Sequence, residues 1–471
     1  MISHKYLICF LFSSALIMCN AQEGNYKFNN FGNRSILLAG NVTGSVSDLG
    51  LTYYNPSFLT DVENVGFSLN AKAYQLVSIK LDNPDQQGNQ LSNTNFNSAS
   101  TMAGGVFNLF DTKFAYSYLT KSNFNTNLNY SSDYLTDDIL NLFPEAARHN
   151  SKISLNSHIK DDWAGLAWAH KFDDAFSIGV SAFASIYSYT GKSIISHTLA
   201  SSSNDISFFQ NTIGFKQKSY GLFFKIGANY RFPKFDLGLN INLPYLSIID
   251  SGNFEYSKTI AGVSSEHDLY IDTIHDNLSS KRQEPLGISI GAGVPIKKGK
   301  LYFNVDYVSG IDNYNRLDIP NIDTGDEELR PVNFDEERKA VFNFGIGAEL
   351  EVSERLKAYS GFTTDFNANK NSANIFDISS DDSKQVNIGE NFYHLSFGVD
   401  WKLKWLSLIS GITYANSKSS FISPYQIDFG ASDINSNIDS QIKYTRWQFV
   451  IGIDIPVLSK KIDSLGINKE D

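Results

Sequence analysis

Gly287-Ile288-Ser289-Ile290-Gly291 matches the Gly-x-Ser-x-Gly string that presents a serine nucleophile. That chemistry needs a sharp strand-to-helix turn, and here the string sits inside an alternating apolar stretch, so the match reads as chance. The neighbours His267-Asp268 and His275-Asp276 share one connection, but adjacent side chains make a poor dyad and no partner serine is identifiable. His149, His158, His170, His197 and His394 show no metal-ligand spacing. An acidic stretch with Asp318, Asp323, Asp326, Glu327 and Glu328 offers oxygen ligands for Ca²⁺, yet it departs from the EF-hand pattern and reads as a solvated loop. The only cysteines, Cys9 and Cys19, lie at the extreme N-terminus, so the rest of the chain carries no thiol or disulfide chemistry. No enzyme, metal or cofactor is expected.

The elements that hold these residues explain the absence. Of 471 residues, 42% are hydrophobic, 14% aromatic and 19% charged, and the net charge is −11. The charged fraction is low for a soluble domain, and the acidic sign argues against a nucleic-acid partner, which needs a basic face. Residues 1–21 read as a cleavable leader: basic His4 and Lys5, apolar Tyr6 to Met18, and a small-residue exit at Cys19-Asn20-Ala21. Beyond Gln22 no stretch approaches the roughly 18 apolar residues of a spanning helix.

Alternation replaces it. Val65, Phe67, Leu69, Ala71 and Ala73 interleave with Gly66, Ser68, Asn70 and Lys72, and the same period of two recurs at 176–186, 220–230, 286–294, 342–350, 393–401 and 447–455. About 14 such segments follow one another, near 64–79, 101–109, 112–120, 161–171, 175–190, 217–231, 234–249, 284–296, 299–312, 338–352, 355–368, 390–404, 406–418 and 443–457. Their connections alternate between tight turns and stretches of about 20–40 residues, including 121–160 and 250–283. An even strand number with short turns at one end and long loops at the other is the pattern of an all-β, antiparallel transmembrane barrel in a bacterial outer membrane. Its Gly/Ser/Asn-rich polar face suits a wet lumen. Lys72 and Lys225 fall on that face with Asp236, Asp306, Glu349, Asp365, Asp400 and Asp454, so pairing between lysines and acids across the lumen competes with ligand binding.

Residues 22–63 precede the first strand and are too long and apolar for an idle tail. Within them, Gly32 to Leu59 contains a Gly-small-Ala-Gly stretch, then Asp48, then Tyr53-Tyr54-Asn55-Pro56-Ser57-Phe58-Leu59. This run resembles the N-terminal hatch of FadL-type outer-membrane transporters of long-chain fatty acids and hydrocarbons. Weaker similarities follow at Leu237 to Tyr245, Pro285-Leu286-Gly287, Asn304 to Tyr307 and Gly345 to Glu349. Two features depart from that family: Ser57 stands where its members carry alanine, and a charged end, Lys469-Glu470-Asp471, extends past the last strand.

The resemblance implies a 14-stranded barrel and passive uptake of a hydrophobic small molecule: capture in an extracellular groove, passage past a plug, and exit through a gap in the wall near a kinked strand. Asp48, Tyr54, Asn55 and Pro56 are then hatch residues. The groove is expected in 121–160, where Leu135, Ile139, Leu142 and Phe143 would share one face of a short helix. Lys225 is the expected partner of a ligand carboxylate. The division expected is a leader at 1–21, a hatch at 22–63, a barrel at 64–457 and a periplasmic tail at 458–471. Membrane lipid and lipopolysaccharide would surround it, and the oligomeric state stays open. The competing reading is a barrel that transports nothing and serves as an adhesin or assembly component through its loops.

Overall fold

A computed structural model of the chain describes residues 24–62, 65–82, 90–109, 112–132, 146–262, 268–323, 325, 329–332, 334–370, 391–421 and 440–456. Eighteen strands are present among them. β1 (Val65–Asp82), β2 (Gln90–Leu109), β3 (Thr112–Ser132), β4 (Ala146–Lys171), β5 (Phe176–Ser201) and β6 (Ile206–Arg231) run in sequence. They are followed by β7 (Asp236–Asn242), β8 (Leu246–Ala261), β9 (Leu269–Leu278), β10 (Gly287–Ile296) and β11 (Gly299–Val308). A small hairpin, β12 (Ile311–Asn315) and β13 (Asp335–Arg338), precedes β14 (Val341–Ser353), β15 (Leu356–Asp365), β16 (Phe392–Lys402), β17 (Ser407–Phe421) and β18 (Ser440–Pro456).

All pairing in the large sheet is antiparallel, and β1 pairs with β18 from Val65–Pro456 to Asp82–Gln441, which closes the ring. The lower part of β6 pairs with β7 and its upper part with β8, so these two are one interrupted stave. β9 and β10 form another, paired with β8 and β7 respectively. Counted this way the barrel has fourteen staves, as the alternation predicts.

The strands reach much further than the alternation showed on the side of the long connections. Residues 121–132 and 146–160 are strand, so the 121–160 stretch is largely wall; residues 133–145, with Leu135, Ile139, Leu142 and Phe143, lie outside the described residues. The physical reason is an inversion of phase. On β5, Val180 and Ile186 face outward, as a lipid-facing surface requires, but from Tyr187 upward the apolar residues Tyr187, Tyr189, Ile195 and Leu199 face inward and are buried. On β6, exposed Tyr220 and Ile226 give way above to buried Phe215, Ile213 and Phe209, with Lys216 and Lys218 outside. A wall that leaves the bilayer must show water its polar face, so the pattern flips there. Below the flip, Trp168, Phe172, Tyr230, Phe232, Trp401 and Trp405 mark the other edge of the apolar band.

The lumen is filled at both levels. Residues 24–62 pack inside the lower barrel, with α1 (Asn33–Leu37) against β15 to β18 and β1, and a 3₁₀ turn (Pro56–Thr60) against β3 to β6; α2 (Leu51–Tyr54) touches β3 and β4. Phe31, Leu37, Leu49, Leu51 and Leu59 are wholly buried there with wall residues Trp163, Phe183 and Ile409. The strand glycines expected to line a wet lumen make room for this segment. A Cβ at Gly238 would collide with the Thr43 carbonyl and one at Gly361 with the Leu38 backbone, so only glycine lets chain and wall approach so closely. Higher up, Leu317, Ile322, Val332 and Phe334, from the connection between β11 and β14, fold into the inward apolar face of β5, β6, β8 and β9.

Among the described residues the wall is unzipped in more than one place, β9 pairing with β8 alone. β2 and β3 pair only from Leu109–Thr112 to Met102–Leu119, above which β2 stays with β1 and β3 with β4. Another opening lies between β8 and residues 279–283, bounded by Gly252–Leu278 above and a Tyr245 N–H to Glu284 carbonyl bond of 3.4 Å below.

Candidate functional site

The four residues of the Asp-to-Asn-Pro run are structural knots of the lumenal segment. Asp48 is fully buried and accepts from the backbone N–H groups of Arg34 (2.5 Å), Ser35 (2.8 Å) and Gly50 (2.9 Å) and from the Ser35 hydroxyl (2.7 Å). It satisfies the first turn of α1, whose N-cap position, Gly32, has no side chain to do so. The Tyr54 hydroxyl accepts from Phe31 N–H and donates to Asn30 Oδ1. Burial raises the Tyr54 hydroxyl well above the usual tyrosine range, the Phe31 N–H opposing, so it stays protonated. Asn55 Nδ2 donates to the Thr43 carbonyl (2.9 Å) and to the Ala228 carbonyl of β6 (3.1 Å), while its Oδ1 caps the turn that Pro56 opens. One side chain thus ties the segment to itself and to the wall.

Between this segment and the wall lies a cavity lined by Tyr53, Trp163, Phe223, Lys225, Asn242 and Glu284, among others. Trp163 and Phe223 stack with centroids 4.1 Å apart. Lys225 Nζ stands 3.9 Å from the Tyr53 ring centroid and donates to Asn242 Oδ1 at 2.6 Å. It makes no ion pair with any described carboxylate, and neither does Lys72, which donates to Asn29 Oδ1 at 2.9 Å. Pairing of these lysines with lumenal acids is therefore not what the structure contains. The acids go elsewhere: Asp306 to Lys27, Asp400 and Asp454 to Arg34, Asp236 to Lys300, and Glu349 to Lys357. Asp365 lies 3.4 Å from His394.

Two further buried cations were missed by sequence reading. Lys121 on β3 lies 5.7 Å from the Tyr53 centroid, and Arg446 on β18 donates to Asn29 Oδ1 and the Phe28 carbonyl while stacking 3.8 Å over the Phe28 ring. Lys72, Lys121, Lys225 and Arg446 are 4%, 3%, 4% and 3% exposed, and none has a carboxylate partner among the described residues. The inward phase of β18, Tyr444-x-Arg446-x-Gln448, is the signal that could have found Arg446.

A second polar cluster closes the cavity above. Arg282, in the lumenal stretch between β9 and β10, donates to Asp161 Oδ2 (2.7 Å), to Ser185 Oγ (3.2 Å) and to Glu284. Its guanidinium lies 3.8 Å from the Tyr187 centroid. Burial pushes Glu284 up to about 8, Arg282 opposing, because two carboxylates share one guanidinium in a dry site. No group of three or more metal-ligating side chains gathers among the described residues. Gly287 to Gly291 lies within β10, paired to β7 and β11 with no helix after it, so Ser289 is a wall residue. His275 is on β9, and His267 lies outside the described residues.

Fold and site together define a fourteen-stave transmembrane β-barrel with its N-terminal segment folded into the lumen. No protein-family model matches the sequence, and no curated protein matches it. Solved structures do match, among them a FadL homologue and hydrocarbon channels. The chain shares its fold with a Pseudomonas aeruginosa FadL homologue at 11% identity and a TM-score of 0.53, covering 92% of this chain and 99% of that one. It also resembles the P. putida toluene transporter TodX, at 11% identity and 0.57 over 91% and 99% of the two chains. The CymD monoaromatic hydrocarbon channel matches at 12% identity and 0.50, over 91% and 98%.

Proposed function

We propose that the protein is a bacterial outer-membrane channel for passive uptake of hydrophobic molecules bearing an anionic head, with long-chain fatty acids as the type ligand. The observation that carries this reading is Lys225, a buried cation without a carboxylate ion-pair partner among the described residues, beside the aromatic surface of Tyr53, Trp163 and Phe223, with Lys121 5.7 Å from the Tyr53 ring and Lys72 and Arg446 further along at Asn29 and Phe28. A buried ammonium with no carboxylate in contact is costly, and an incoming carboxylate would relieve it while its chain lies on the rings. A neutral hydrocarbon, of the kind named for the TodX and CymD channels, would leave that charge unanswered. In this reading residues 24–62 are the hatch, with Asp48, Tyr54, Asn55 and Pro56 setting its closed form, and the leader and periplasmic tail flank the barrel.

The test is native mass spectrometry with lipid extraction on protein purified from its own membrane. A stoichiometric fatty acid that is lost in Lys225→Met supports the reading. An empty lumen, together with co-purifying surface proteins, overturns it in favour of an adhesin or assembly role.

A further inference from the structure

Residues 279–285 belong by position to the wall, between β9 and β10, yet 282–285 turn into the lumen. Arg282 and Glu284 are buried at 7% and 4%, and Gln217 Nε2, from the inward face of β6, donates to the Lys281 carbonyl at 2.9 Å. The Lys281 N–H donates to the Arg316 carbonyl, and Asp318 N–H to the Ser279 carbonyl, so the segment is stitched to the inner loop that fills the upper lumen. Its departure opens the slit beside β8. Inside, it stands between two compartments: the apolar cluster of Tyr187, Phe254 and Leu317 above, and the Lys225 cavity below, which Glu284 and Pro285 line.

The slit has six residues on its β8 side, 246–251, and five on the other, 279–283. From Gly252–Leu278 downward, extension of the ladder would pair 251 with 279, 250 with 280 and 249 with 281. From Tyr245–Glu284 upward it would pair 246 with 283 and 247 with 282, leaving only Ile248 over. Ile248 is already the extra residue of β8 against β6, where the register shifts between Tyr220 and Gly221. The segment therefore fits the vacant ladder with a bulge that exists. An unpaired strand edge at the membrane boundary favours such closure. Besides those backbone bonds, Arg282 holds the segment inward, bonded to Asp161 and Ser185 and stacked on Tyr187 and Tyr245 at 3.8 and 4.8 Å.

We propose that residues 279–285 are a two-position gate: latched by Arg282 onto Asp161 they bar the lumen between the upper compartment and the Lys225 cavity, and released they zip onto β8, opening the lumen and closing that slit. The proposal rests on the channel reading for its purpose, but its geometry is tested separately.

Residues 249 and 281 are paired only in the released position, where their Cα atoms would lie about 4.5–5.5 Å apart, within disulfide reach. The chain after Cys19 has no cysteine, so Ile249→Cys with Lys281→Cys gives a clean reporter in proteoliposomes. Oxidative cross-linking is expected to rise about tenfold when Arg282→Gln or, independently, Asp161→Asn is added, with barrel folding checked by heat-modifiable migration. Equal cross-linking in folded protein with and without either substitution overturns the gate. Radiolabelled oleate uptake by the unsubstituted chain is measured alongside: its absence overturns the channel reading and leaves the cross-linking result standing.

Discussion

The Lys225 ammonium lies 3.9 Å from the centre of the Tyr53 ring, so a cation of the wall is seated on an aromatic face of the lumenal segment. This contact joins the wall to the segment packed inside it, and among the described residues the ammonium's hydrogen-bond acceptor is the Asn242 amide oxygen. In the proposed channel, a ligand head that replaces Asn242 would therefore act on both parts.

Lys225→Met preserves the length and apolar stem of the side chain and removes its charge. Oleate binding to the purified protein, followed by isothermal calorimetry, is expected to weaken roughly tenfold to hundredfold, the range of a lost charged hydrogen bond. Binding of a neutral hydrocarbon of the same length should change less than twofold by the same reasoning. Equal losses for both ligands would mean that Lys225 supports the cavity and recognises no anion.

Asp48→Asn removes a carboxylate that receives three backbone N–H groups and one hydroxyl. The expected cost is about 1–3 kcal/mol, localised to residues 24–62 because the barrel's own ladder is untouched. Hydrogen exchange should quicken at Arg34, Ser35 and Gly50 while β1 to β6 keep their protection.

Gly238→Leu puts a side chain where the Thr43 carbonyl now packs against the wall. The lumenal segment must withdraw. Single-channel recording in planar bilayers should then show an ion conductance above that of the unsubstituted barrel, and unchanged conductance would show that the segment yields without leaving.

Glu284 binds its proton more tightly in the folded protein than in the unfolded chain, since burial raises it to about 8 from an ordinary 4.5. Its stabilising contribution is complete below about pH 4.5 and is lost as pH rises through about 8. Thermal unfolding between pH 5 and 9 should show a decline in Tm that Glu284→Gln flattens.

The architecture was legible where physics leaves a period. A lipid-facing wall must alternate, so the lower halves of all fourteen staves can be read from Val65-Phe67-Leu69 through Trp447-Phe449-Ile451. The upper halves were obscured because the alternation changes phase at Ile186–Tyr187, and a reversed pattern with polar residues outside looks like a loop. The lumenal glycines misled for a related reason. Gly238 and Gly361 look like residues of a water-filled pore, and only the path of residues 24–62 shows them as contact points. Asp48 and Asn55 stood out through their motif, whereas Arg282 carried no mark in the sequence: its role comes from a stave leaving the wall, which no local pattern announces.

The reversal at Tyr187 also sets how far the protein stands from the cell. From Tyr187 to Ser201, β5 continues for fifteen residues above the apolar band. At about 3.3 Å per residue and a tilt of about 40°, this amounts to roughly 35–40 Å of wall, with Tyr187, Tyr189, Ile195 and Leu199 turned inward among Ser193 and His197. For the channel proposed above, that height would carry an oily solute through the sugar coat of the outer leaflet without meeting it.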